Sequence, residues 1–489
     1  MKQTDCTTLK GVSLSASMRG GWWLALASVA MGIALLLNGA GEQVQLSSVR
    51  WMYYGPDTET YYLGRVSWVT PVYPLLLKGL VAMFGHGHLF ALALVQILLW
   101  GLAVAAMWRM GMPLAGRWGM AATDFFALWP PLTVWTLAVY VEPVAICTMV
   151  YTALCLYMAM SHRGGSSRRW MWLFILCELG LILTRPAFAY VPIATLLTGV
   201  LAPGAAKCRR NGRQLIVAGL CGLLFAGTYT SIVYWRTGVM TPTCISVTNR
   251  YFMARRAGVI DPELNPDSAQ RVHFRECLEL DVHVTSLRRQ PYRAWGEVTE
   301  MLGLAPAASR QGALSQSDSR DSGGRHPIEC LDEMVSRSIA AHPGRYWRSV
   351  AESACLDLYA EPLVSAGNGW PSRRAAHPLQ HWGGRVQMSL GLTLGAGVLW
   401  LVLLTVAIFI VPGRGNGLTD RIGARRFPLW LALCCLGNVG TIFLGAPYDH
   451  SRLFVESIPL LLLLSAIALH SCAHQLIKWR GVGGLGGFC

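Results

Sequence analysis

The sequence predicts an all-α polytopic membrane protein, and three observations carry that prediction. Of 489 residues, 53% are hydrophobic and only 14% are charged, whereas a soluble globular chain carries about 25% charged residues. Apolar runs of roughly 17–25 residues, the length a helix needs to cross a hydrocarbon core about 30 Å thick, recur along most of the chain. Lys and Arg gather in alternate connections between those runs. A soluble helical domain does not fit this pattern.

Taken in order, the apolar runs give about ten transmembrane helices, at 22–37, 88–107, 119–135, 138–160, 170–184, 187–201, 214–235, 386–410, 429–444 and 453–470. The first follows Lys2, Lys10 and Arg19, as a secretory signal would. Its polar lead and apolar core are both long for a signal, so an uncleaved helix is expected. The basic connections read "WRMGMPLAGRW", "SHRGGSSRRW", "KCRRNGR" and "GRGNGLTDRIGARR". They place that side, with both termini, in the cytoplasm. The net charge of +15 is therefore a topology signal rather than a nucleic-acid footprint. The runs at 170–184 and 187–201 are short for upright spans, and "LTRPAF" between them marks a turn at the outer membrane surface.

This divides the chain into a transmembrane module at 1–236, whose first outer loop is 39–87, a periplasmic segment of mixed charge at 237–385, and C-terminal helices with a cytoplasmic tail at 386–489. Within the middle segment "APAASRQGALSQSDSRDSGGRH" has the composition of a mobile loop. The run after it sets Ile328, Met334, Ile339 and Trp347 at helical spacing for one apolar face, and "HPGRYW" is expected to break that run into two helices. Four of the fourteen cysteines fall here, Cys244, Cys277, Cys330 and Cys355. In an oxidising compartment they allow two disulfides in any of three connectivities. No Cys/His spacing suggests a metal site.

The outer-face loops contribute Asp57, Glu59, Arg65, Lys78, Glu142, Arg185, Asp449, His450, Arg452 and Glu456. A pocket combining carboxylates with arginines at a membrane surface suits transfer of a sugar from a polyprenyl phosphate to an acceptor hydroxyl. A carboxylate takes the hydroxyl proton, and guanidinium groups meet the charge that gathers on the departing phosphate. Asp57 is the expected base, presented by the Gly55-Pro56 turn. Tyr61 and Tyr62 beside it can stack on a sugar face or donate hydrogen bonds. Read structurally, Asp57 is a helix cap and the tyrosines an interfacial belt. Glu59 is either a solvated neighbour or a second functional acid. Glu178 and Arg185 share a helix face at seven-residue spacing, to bind each other or different partners.

The run "GPDTETYYLGR…TPVYPLLLKGLVAMFG" resembles the first outer loop of the GT-C superfamily of membrane glycosyltransferases, in the branch of protein O-mannosyltransferases and lipid A aminoarabinose transferases. "VYVEPVAI", "LGLILTRPAFAYVPIATLL", "AAHPGRYW" and "YDHSRLFVESIPLLLLL" continue the resemblance in order over most of the chain. It implies a GT-C-like fold in a bacterial inner membrane, with an amphipathic helix lying along the outer surface at "PVYPLLL" and the active site facing the periplasm. It implies an inverting transferase in which Asp57 is catalytic, Glu142 contacts the acceptor or orients the base, and Arg185 and Arg452 face the donor phosphate. His450 stands where relatives carry part of an Arg-Tyr pair, as a loop residue or a substrate contact. The implied partners are a polyprenyl-phosphate sugar, a lipid, glycan or protein acceptor, and membrane lipids. No cofactor is required, and the paired acids leave room for a divalent ion. A lipid-sugar transporter or flippase, and a polymerase or ligase using pyrophosphate-linked glycans, are the alternative readings.

Overall fold

The structure, a computed structural model, describes residues 10–37, 70–129, 133–137, 139–162, 165–201, 209–243, 245–282, 326–360, 426–445 and 456–483. Every regular element among these residues is helical. The chain enters through α1 (Lys10–Leu37). Then come α2 (Val72–Phe84), a 3-10 turn (Gly85–Gly87), α3 (His88–Ala115), α4 (Arg117–Leu128), α5 (Glu142–Ser161), α6 (Gly165–Thr184), α7 (Tyr190–Leu201) and α8 (Arg209–Thr237). A polar segment supplies α9 (Ile245–Arg256), α10 (Ser268–Val282), α11 (Pro327–Ala341) and α12 (Pro343–Ala360), and the bundle resumes with α13 (Arg426–Gly445) and α14 (Ile458–Gly483).

Arg19–Leu37, Val72–Ala115, Glu142–Ser161 and Gly212–Thr237 are long and apolar enough to cross a membrane, while Pro186–Leu201 and Ile458–Ser471 are apolar but shorter. Their outward faces fit a lipid solvent. Trp22, Trp23 and Leu26 on α1, Trp172 and Leu176 on α6, and Leu220, Leu224 and Trp235 on α8 are exposed. Apolar surface on that scale belongs against hydrocarbon rather than water. The protein is a helical membrane protein.

Two boundaries differ from the sequence reading for a stated reason. The span expected at 119–135 stops at Leu128, because Trp129 precedes a proline and adopts an extended backbone (φ −81°, ψ 105°). A residue before proline is driven out of the helical region. The chain then makes a 3-10 turn (Val134–Leu137) before α5 starts at Glu142 rather than at 138. The span expected at 386–410 lies outside the described residues.

α3 is the hub, packed by α1, α2, α4, α5 and α14. Close approach is made by glycines: a Cβ on Gly101 would stand 2.4 Å from a Val29 methyl, and one on Gly119 only 1.9 Å from the Gly111 carbonyl oxygen. Small residues at such crossings let membrane helices gain van der Waals contact where no hydrophobic drive operates between them. Trp100 stacks on Phe126 at 4.5 Å, and Phe174 meets Trp430 edge-on at 6.0 Å. α7 and α8 run antiparallel, with Gly199 against Gly212 and Gly222 against Pro192.

The polar segment has its own apolar cluster, built on Val247, Tyr251, Phe274, Ile328, Leu331 and Met334. The expected break falls at His342 (φ −136°, ψ 53°). Ile328 and Met334 are buried and Ile339 packs against the same cluster, but Trp347 is 53% exposed. The break turns the second helix, so spacing counted through it no longer tracks one face. Cys277 and Cys330 are both buried thiols and not each other's disulfide partners. Cys244 and the side chain of Cys355 lie outside the described residues. The segment begins at Gly238, which closes α8 with φ +74°. A Cβ there would stand 2.7 Å from a Glu329 carboxylate oxygen on α11.

Candidate functional site

Three helix ends meet at the end of the bundle from which the polar segment emerges. α6 ends at Thr184 because Pro186 follows. Arg185, the residue before that proline, takes an extended backbone (φ −156°, ψ 122°), as steric clash with the proline ring requires. That conformation swings the Arg185 side chain off the α6 face. Glu142 opens α5, followed by Pro143, and is buried. Glu456 lies just before α14 and is also buried. Both carboxylates thus sit at helix N-termini, where unsatisfied N–H groups favour negative charge.

Arg185 Nη1 donates to Glu142 Oε1 at 3.0 Å and to Glu456 Oε1 at 2.5 Å. The Arg185 side chain retains 17% exposure, while the two glutamates are at 0% and 1%. One nitrogen carries two N–H bonds, so this pair of acceptors accounts for both. The result is a guanidinium clamped in orientation by two buried anions. If both glutamates are ionised the cluster carries one net negative charge.

The surroundings hold the clamp in place. Asn438 Nδ2 donates to Ser457 Oγ at 2.8 Å, tying α13 to the residue after Glu456. Thr70 Oγ1 donates to the Thr184 carbonyl at 2.6 Å. Thr70 stands thirteen residues after Asp57 in the sequence, and this bond pins the start of the segment leading into α2 to the residue beside Arg185. α2 continues from there with Tyr73 and Leu77 buried and Leu75, Lys78 and Met83 exposed. Tyr73 donates to Gln96 Oε1 at 3.3 Å, and Gln96 Nε2 donates to the Thr136 carbonyl at 2.8 Å. These bonds join α2, α3 and the connection leading to Glu142. Tyr190 is buried at the head of α7, within electrostatic range of Glu456 and Arg185. Its hydroxyl has no hydrogen-bond partner among the described residues.

Of the residues singled out from sequence, the structure joins Glu142 and Arg185. Asp57, Glu59, Tyr61, Tyr62, His450 and Arg452 lie outside the described residues. Glu178 and Arg185 take different partners, since Glu178 Oε1 accepts from Thr195 at 2.8 Å. Glu456, which the sequence placed among the outer-face ionisable groups without giving it a role, and Tyr190, which it did not single out, complete the cluster. The signal for Glu456 was an acid abutting an apolar run in "VESIPLLLLL"; its partner stands 271 positions away. Among the described residues no group of three or more His, Cys, Asp or Glu side chains is arranged to hold a metal ion.

No protein-family model matches the chain. A stretch amounting to 20% of the chain is similar to the fluoride-specific ion channel FluC of Neisseria meningitidis serogroup B, with 31% identity over 112 residues spanning 90% of that protein. The likeness is to a membrane protein, in keeping with the helical bundle, and it is confined to that fraction of the chain.

Proposed function

We propose that the protein is an integral-membrane glycosyltransferase that moves a sugar from a polyprenyl-phosphate donor to an acceptor hydroxyl. The reaction takes place at the outer face of a bacterial inner membrane, on a GT-C-like scaffold with cytoplasmic termini. The observation that supports this reading best is the clamp of Arg185 between Glu142 and Glu456, at a bundle end where Thr70 bonds the Thr184 carbonyl. Arg185 is already oriented at this position, and in this reading one of the two glutamates gives up its charge or its contact as a lipid-borne phosphate arrives, so that the guanidinium meets the charge developing on the leaving oxygen. In this mechanism Asp57 takes the acceptor proton as the hydroxyl oxygen attacks the anomeric carbon. The glycosyl–phosphate bond breaks on the opposite face, the configuration inverts, and the polyprenyl phosphate departs as an anion. No general acid is needed, because phosphate is a good leaving group. Glu142 and Glu456 serve as positioning residues for Arg185; Glu59, Tyr61, Tyr62, His450 and Arg452 contribute to substrate binding.

The test is transfer of radiolabelled sugar from the polyprenyl-phosphate donor in vesicles. Asp57→Asn is expected to abolish transfer while donor binding persists, and full activity in that variant would overturn the assignment of the base. The partial likeness to a fluoride channel favours a second reading, ion passage through the bundle. Fluoride efflux from proteoliposomes separates the two: efflux that survives Asp57→Asn, with no new glycosidic bond, supports the channel.

A further inference from the structure

A second ionisable group lies deep in the bundle and is untouched by the transfer chemistry. Glu178 sits on α6 about 10 Å along the helix from Arg185 at 1.5 Å per residue, and its side chain is fully buried. Oε1 accepts from the Thr195 hydroxyl on α7, and that hydroxyl oxygen in turn accepts from Trp430 Nε1 on α13 at 3.0 Å. Oε2 is buried with no hydrogen-bond partner among the described residues. It faces α8 at Gly222, where even a methyl group would come within 3.2 Å of it and 2.7 Å of a Pro192 ring carbon.

The charged and titratable neighbours offer no counter-ion. From α13 comes the Cys434 thiol, which is within electrostatic range of Glu178. α5 carries Cys147, Tyr151 and Cys155, of which Cys155 pairs with Cys177. α7 carries Tyr190, and α8 carries Cys221 and Tyr229. The arginine nearest in sequence on the Glu178 side of α7, Arg185, is turned toward Glu142 and Glu456. No Lys, Arg or His among the described residues forms an ion pair with Glu178. An isolated carboxylate in such surroundings is strongly disfavoured against its neutral acid, and an acid inside a membrane bundle is by default a functional group.

We propose that Glu178 is an intramembrane proton-binding site, holding its proton at neutral pH. Thr195 has one hydroxyl hydrogen and the Val191 carbonyl lies 2.9 Å from its oxygen, so the neutral acid can donate from Oε1 to Thr195 while Thr195 donates to Val191; Oε2 lies against the bare backbone of Gly222. Release of that proton creates an anion that needs water or a cation beside Oε2. The backbone of α8 already lies against Oε2 at the Gly222–Pro192 contact, and parting α8 from α7 there makes room for either. Proton loss and displacement of α8 are thus linked. This site is independent of the transferase reading and stands whichever reaction the clamp supports.

Infrared spectroscopy of the purified full-length protein, grown with carbonyl-labelled glutamate and reconstituted in nanodiscs, tests the assignment. At pH 7 a neutral-carboxyl stretch is expected in the wild-type protein, absent in Glu178→Gln and retained when Glu142→Gln or Glu456→Gln is made instead. Glu178→Asp, in which that stretch loses its isotope shift, gives the same information if the glutamine variant fails to fold. A wild-type spectrum with carboxylate bands alone at pH 7 overturns the proposal. So does a carboxylate band assigned to Glu178 that shifts on adding sodium, which would make the occupant an alkali cation.

Discussion

Replacing Arg185 with methionine removes the cation and leaves two buried carboxylates facing each other. Breaking a buried ion pair by deleting one partner costs about 3–5 kcal/mol, because the remaining charge is stranded. Arg185 is 17% exposed, so water reaches the vacated position and the lower end, about 3 kcal/mol, is the appropriate figure. Glu456→Gln acts differently. It keeps an oxygen to accept from Nη1 and removes one of two like charges sharing one cation. Its cost is the charge-assisted increment alone, about 1 kcal/mol. Unfolding of the detergent-solubilised variants at pH 7, followed by helical circular dichroism against denaturant, should therefore rank Arg185→Met well below Glu456→Gln and Glu142→Gln. The triple variant, with no charge left to strand, should regain part of the loss. The reasoning fails if Arg185→Met unfolds with the wild-type protein, or if either glutamine variant is the weaker.

Thr70→Val deletes the bond to the Thr184 carbonyl and should lower sugar transfer several-fold while costing only about 1 kcal/mol of stability, checked by parallel activity and unfolding measurements. Gly222→Ala pushes a methyl into the Pro192 ring and should cost about 1–3 kcal/mol as an overpacked contact, read from the same unfolding curves. On the polar segment, burial raises the Asp332 carboxyl above its ordinary value of 3.8, with Arg250 pulling the other way. The folded state then holds that proton more tightly than the unfolded chain. Stability contributed at Asp332 falls as pH rises from 3.8 through the raised folded value. Asp332→Asn should flatten this slope in thermal unfolding, and Arg250→Met should extend it to higher pH.

The helical membrane class was legible because hydrophobic run length answers to bilayer thickness and to little else. The turn at Arg185 was equally legible, since proline restricts its predecessor whatever the tertiary context. What that turn does to the side chain was not. Counting seven residues put Arg185 on the Glu178 face, but the helix has ended one residue earlier, at Thr184, and the extended backbone aims the guanidinium elsewhere. Glu456 was visible as an acid beside an apolar run. Its pairing with Arg185 needed the start of α14 brought beside α5 and the turn after α6, which no local pattern encodes. The Trp347 misassignment has the same origin, a periodicity carried across a backbone break at His342.

The joint at Gly238 has a mechanical meaning. Because α11 seats a carboxylate side chain against bare main chain at the last turn of α8, the two helices are coupled as a lever and its load. A tilt of α8 within the bilayer reaches α11 through this contact, with the flexible Glu329 side chain as the element between them. A substitution at that glycine would have to displace the Glu329 side chain or the turn itself, and so would change the joint between α8 and α11.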